Sequence, residues 1–240
     1  MRSNFLTTCT SSYTRKKVAS RSQLYADPKG RSMVEMLGVL AIVGVLSVGA
    51  IAGYSKAMMK YKLNKFSESF NILLNNALQL NDDLIKTVKH SSDIEANFFA
   101  KARLIPDGMS YNASDNRIHD IFGNRIQIYY INNTEAKVYE YVMRINMERS
   151  GTKINERSRE ICRNMALVAK ENAENLYYFR MRSYEGNDYD ESYSLYGSKS
   201  PYNNSSLARA TIKQIDDMCS SCDSETWCEV IIMLNLTGYQ

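Results

Sequence analysis

Met36-Leu-Gly-Val-Leu-Ala-Ile-Val-Gly-Val-Leu-Ser-Val-Gly-Ala-Ile-Ala-Gly-Tyr-Ser55 runs for about twenty residues without a charge. As an α-helix rising ~1.5 Å per residue, a stretch of this length spans the ~30 Å hydrocarbon core of a bilayer. A soluble helix buries one face and has no need to be apolar on all of them. The roughly 185 residues after Ser55 are few to enclose such an element in a globular core, so membrane insertion is the stronger reading. Gly38, Gly44, Gly49 and Gly53 fit that setting, because glycine weakens a helix in water but is tolerated in lipid, where small residues allow close helix contact.

Upstream the composition changes sharply. Residues 1–30 carry Arg2, Arg15, Lys16, Lys17, Arg21 and Lys29 against Asp27, a net of about +5, while the remainder sums to about −1. The basic pI therefore belongs to the leader, and no basic stripe with interleaved aromatics follows it, so no nucleic-acid partner is expected. An ordinary secretory signal is cut after its apolar stretch, whereas here the basic segment precedes that stretch and ends in Pro28-Lys29-Gly30. The carboxylate of Glu35 at the edge of the apolar run costs a few kcal/mol to bury and calls for a partner. Arg31, four residues earlier on the same helix face, is the local candidate.

Gly30-Arg31-Ser32-Met33-Val34-Glu35 followed by the apolar run resembles the class III signal of type IV prepilins, with glycine before the scissile bond and glutamate fifth after it. The resemblance implies cleavage between Gly30 and Arg31 by a prepilin peptidase and methylation of the new amine on Arg31. Arg31 departs from the family, which usually has an apolar residue there. The resemblance also implies that Glu35 pairs with the N-terminal amine of a neighbouring subunit and so sets axial register in a filament.

Beyond Lys56 the pattern turns amphipathic, with Met59, Leu63, Phe66, Phe70, Leu73, Ala77, Leu80 and Leu84 alternately four and three apart. No proline interrupts residues 31–103, so a helix of roughly 55–65 residues is expected, its second half lying on a globular head. The domain reading is a cleaved leader 1–30, a membrane or filament-core helix 31–56, its amphipathic continuation 57–104, and a head 105–240. Within the head, Arg125–Ile131 and Val138–Met147 read as an antiparallel hairpin, and Asn155 as the cap of a helix over Glu156–Leu176 with Ile161, Met165 and Val168 inward and Cys162 beside them. Tyr184–Ser206 reads as a polar surface excursion, followed by a short helix near Leu207–Met218 and a strand Glu229–Leu236. The fold class is thus α+β, a long N-terminal helix packed on a small antiparallel sheet with further helices.

Removal of the leader would take Cys9 with it and leave Cys162, Cys219, Cys222 and Cys228, an even set that suits two disulfides in an oxidising compartment. Cys219-Ser220-Ser221-Cys222 with Cys228 has zinc-like spacing for its first pair, but neither His90 nor His119 lies near it. Asp188, Asp190 and Glu191 are acidic without a calcium-loop rhythm. No phosphate loop, nucleophile elbow or paired zinc histidines are seen, so neither an enzyme nor a cofactor is expected.

The whole order of elements resembles type IVb pilins and conjugative thin-pilus subunits. That resemblance implies a disulfide from Cys162 to one member of the terminal cluster, enclosing a variable region. Cys162–Cys219 with Cys222–Cys228 is preferred, and Cys162–Cys228 comes second because it leaves Cys219 and Cys222 in a small strained ring. The expected function is a structural subunit of a pilus-like filament, held in the bacterial inner membrane before assembly into an extracellular or periplasmic fibre. Its expected partners are the peptidase, other pilin subunits and the assembly machinery. The alternatives are a pseudopilin or minor pilin of a secretion-like machine, and a single-pass membrane protein with an extracytoplasmic ligand-binding head.

Overall fold

The computed structural model describes residues 32–87, 92–93, 96–133, 138–151, 153–185, 188–198, 200, 205–223 and 227–234. Helix α1 runs Met33–Thr87, 55 residues, and the chain divides into Met1–Ile51 and Ala52–Gln240. In the first unit the helix is long and apolar enough to cross a membrane, and Leu40, Ile42, Val45, Leu46 and Ile51 are exposed along it. Ser47 spends its hydroxyl locally by donating to the Val43 carbonyl at 2.7 Å, which removes the cost of a bare polar group in an apolar setting.

The second unit is an α+β head. Its strands are β1 (Ser92–Asp93), β2 (Ser110–Asn112), β3 (Arg117–His119), β4 (Arg125–Asn133), β5 (Val138–Met147), β6 (Arg149–Ser150), β7 (Lys153–Ile154), β8 (Leu176–Glu185), β9 (Asp188–Tyr196) and β10 (Trp227–Leu234). Its further helices are α2 (Ala96–Lys101), α3 (Glu156–Glu171) and α4 (Ile212–Ser220). The main sheet is antiparallel in the order β2-β3-β4-β5-β10-β8-β9, with β1 sharing an edge of β4 with β3. β6 and β7 form a separate small ribbon.

The core follows from period-two alternation on the strands meeting helical stripes. Ile126, Ile128 and Tyr130 of β4, Met143 and Ile145 of β5, Val230 and Ile232 of β10, and Phe179 and Met181 of β8 form one buried face. Phe66, Phe70, Leu73, Leu74 and Ala77 of α1 join the same cluster, as do Ile161, Met165 and Ala169 of α3. Phe66 and Phe70, four apart on α1, stack with ring centroids at 5.7 Å. Each fully buried phenyl contributes roughly 2 kcal/mol by removal from water. Polar ties fix the helix: Ser67 donates to Asn164 Oδ1 at 3.0 Å and Asn76 to the Leu104 carbonyl at 2.8 Å.

Several expectations shift. The amphipathic continuation read to residue 104 ends at Thr87, and the chain then contributes β1 and α2. The helix read to Leu176 ends at Glu171 and passes through a 3-10 turn, Ala173–Asn175, so that Leu176 opens β8. Tyr184–Ser206, read as a surface excursion, instead supplies the end of β8 and all of β9, in a hairpin that pairs Tyr178 with Tyr196 and Arg180 with Ser194. Tyrosine has high strand propensity, and the alternation of Tyr and Arg with Phe179 and Met181 is that of a sheet with one face against a core. The short helix lies later than read, at Ile212–Ser220, because Thr211 and Gln214 make a capping box there. The final strand begins earlier, at Trp227.

Candidate functional site

Glu35 lies in the first turn of α1 and is exposed; its Oε2 accepts from the Ser32 backbone N–H at 3.2 Å. A carboxylate at a helix start meets the positive end of the helix dipole, a local partner that does not require Arg31. Gly30 and Arg31, the expected processing residues, and Cys9 lie outside the described residues. Added methyl groups at Gly38, Gly44, Gly49 and Gly53 would meet nothing within 4 Å, so these positions present bare backbone along the apolar helix.

At the other end of the chain, the four head cysteines form two bonds, Cys162–Cys219 and Cys222–Cys228, with sequence separations of 57 and 6. All four are fully buried. The first bond ties α3 to the end of α4, and beside it Arg163 of α3 grips Asp216 of α4, with its Nε donating at 2.8 Å. α3 starts where Asn155 expects it to, since the Asn155 side chain accepts from the Ser158 N–H at 2.8 Å. The second bond closes the approach to β10. Both bonds consume the thiolates that a zinc site would need, and among the described residues no three His, Cys, Asp or Glu side chains converge as metal ligands. His119 bonds Asp115 at 2.8 Å, and burial, which would raise the Asp115 pKa, is outweighed by that bond and by the histidine's charge, so it falls below the ordinary value. Asp188, Asp190 and Glu191 belong to β9 rather than to a loop.

The sequence reading missed a polar network on the sheet face opposite the helices. Glu229 of β10 is only 3% exposed and accepts from the Tyr184 hydroxyl at 2.7 Å, with Arg182 at 3.7 Å and Arg144 at 3.9 Å. Arg144 Nε donates to the Tyr129 hydroxyl at 2.7 Å, and its guanidinium lies 4.6 Å over that ring's centroid. Trp227 packs on Tyr184 with centroids 4.7 Å apart. Burial pushes the Tyr129 phenol up to about 12 against the opposing pull of Arg144, and burial with the nearby Glu229 charge raises Tyr184. Below them, Val142, Tyr178, Ile231 and Met233 form a second, smaller apolar cluster. The signal for this face was present in the spacing Glu229, Ile231, Met233 and Tyr178, Arg180, Arg182, but it required knowing that the two strands are neighbours. The network is an ion cluster in a mostly buried setting, chemically suited to holding a strand face in one arrangement.

Comparison with known proteins adds no relative: no family model, no curated protein and no solved structure matches this chain.

Proposed function

We propose that the chain is the precursor of a type IV pilin-like structural subunit, anchored in the bacterial inner membrane through α1 and later packed through that helix into a filament. The observation that carries the reading is the junction itself: a basic segment, Gly30, then Glu35 at the head of an uncharged helix that continues into the stripe buried in the head. A carboxylate in that position is costly in lipid unless assembly supplies a cation, and bare glycine backbone along the helix permits close packing with like helices. The two disulfides suit an exported head. Intact-mass analysis of the chain from its native membrane tests the proposal. A mature start at Arg31 is expected, and Gly30→Val leaves the 240-residue form uncut. A wild-type protein that retains residues 1–30 overturns the reading, while a start at Arg31 without an added methyl removes only the methylation.

A further inference from the structure

Where α1 leaves the uncharged run, its side chains and the head enclose an open cleft of about 360 Å³ lined by Tyr54, Met58, Lys62, Ile121, Phe122 and Arg157 among others. The lining is amphipathic and combines aromatic and thioether side chains with two cations, Lys62 and Arg157. From Met36 to Ser67 the sequence holds Lys56, Lys60, Lys62 and Lys65 and no acidic residue, so the cleft sits in a cationic collar. Lys56 and Lys60 are exposed, and Tyr54 and Tyr61 expose 65% and 62% of their surface.

We infer that this cleft seats the phosphate headgroup of an anionic membrane phospholipid, with Lys62 and Arg157 on the phosphate and Tyr54, Met58 and Phe122 against the glycerol and upper acyl chain. Depth supports this occupant. Tyr54 and Ser55 are the last two residues of the uncharged run, and Lys62 follows within about 12 Å of helix, the level at which hydrocarbon gives way to headgroups. Exposed tyrosines at that level match the aromatic belt of membrane interfaces, and clustered lysines beside a span attract anionic lipid. Arg157 is half exposed and 3.6 Å from Glu148, itself half exposed. An ion pair that open to solvent is weak and yields to a phosphate that offers the guanidinium two oxygens. Lys65 is paired with Glu68 at 3.3 Å and contributes to the collar rather than to the seat.

The inference rests on the membrane-anchoring half of the proposed function and not on filament assembly, so the test uses the unassembled full-length chain in a non-ionic detergent. Native mass spectrometry counts retained phosphatidylglycerol against phosphatidylcholine of the same acyl chains. Phosphatidylglycerol is expected to bind roughly thirtyfold more tightly, the preference given by two cations at an anionic surface. The double variant Lys62→Gln/Arg157→Gln is expected to lose that preference, while Lys62→Arg/Arg157→Lys, which keeps both cations, and Lys213→Gln, on α4 and outside the cleft lining, keep it. Equal retention of the two lipids overturns the inference, as does an unchanged preference in the glutamine variant or a lost preference in the charge-preserving one. Displacement of the lipid by millimolar inorganic phosphate makes this a free-anion site, and a dimer broken only by the glutamine variant makes it a protein interface; either result also overturns the lipid seat. A chain that keeps its lipid preference yet is never processed at Gly30 defeats the pilin reading alone.

Discussion

Burial of the Tyr129 ring keeps its proton on, against the opposing pull of the Arg144 guanidinium, whose Nε–H the hydroxyl accepts. With the folded phenol at about 12 against an ordinary value near 10, the unfolded chain releases this proton first as pH rises. The folded state therefore binds more protons between those values, and its stability, complete below pH ~10, declines through that window. The expected loss is roughly 2 kcal/mol for this group, and the raised Tyr184 adds in the same direction. Tyr129→Phe should lower stability at neutral pH by about 1 kcal/mol through the lost hydrogen bond. The same variant should show a shallower decline above pH ~10, as read by denaturant unfolding at a series of pH values alongside tyrosinate absorbance. An equal slope in the variant would assign the alkaline loss elsewhere. Gly197 is a second residue set by its surroundings: a Cβ there would overlap the Leu176 carbonyl oxygen, and its own N–H donates to Tyr177 O at 2.9 Å. Gly197→Ala must push apart the end of β9 and the 3-10 turn, a cost of roughly 2 kcal/mol or more on backbone that cannot swing aside. Thermal unfolding of the variant checks this, since an unchanged midpoint would mean that the turn relaxes freely.

Among the elements, β4, β5 and the start of α3 were legible because each is specified by a local signal: runs rich in β-branched and aromatic residues in the first two and an Asn cap before an amphipathic run in the third. The hairpin of β8 and β9 was not, because its Tyr, Ser, Asp and Glu content reads as polar loop until Phe179, Met181 and Leu195 are seen to share a buried face. Its identity depends on pairing with β10, a contact between segments far apart in sequence. The polar network around Glu229 was illegible for the same reason, while Glu35 and the cysteines stood out from their immediate contexts. The disulfides also act at this scale. Closing 57 residues through Cys162–Cys219 stabilises by about 4 kcal/mol in the chain-entropy argument, and the six-residue link by about 2. Cys162→Ser/Cys219→Ser should therefore lower stability more than Cys222→Ser/Cys228→Ser, with the Arg163–Asp216 grip too exposed to compensate. Denaturant midpoints of the two double variants decide it, and the reverse order would show that the short link governs the sheet.

For the whole molecule, the proposed pilin-like function predicts that insertion and assembly separate at Glu35. The Glu35→Ala variant removes a carboxylate costing a few kcal/mol in hydrocarbon, so it should insert at least as well as wild type yet yield no filaments. Membrane fractionation together with microscopy of sheared material reads both steps, and normal filament yield would deny the carboxylate a docking role. The strand order carries a further consequence. β10, the latest described strand in the sequence, lies between β5 and β8, in the middle of the sheet, with Val230, Ile231 and Ile232 all buried. No two halves of the sheet can therefore close until residues 227–234 have arrived, and a chain interrupted before them has a gap at its centre rather than a frayed edge. Because that pairing joins segments separated by tens of residues, closure is slow and all-or-none. The head therefore should not become protease-resistant until residues 227–234 are in place, and chains that lack them should stay open to proteolysis.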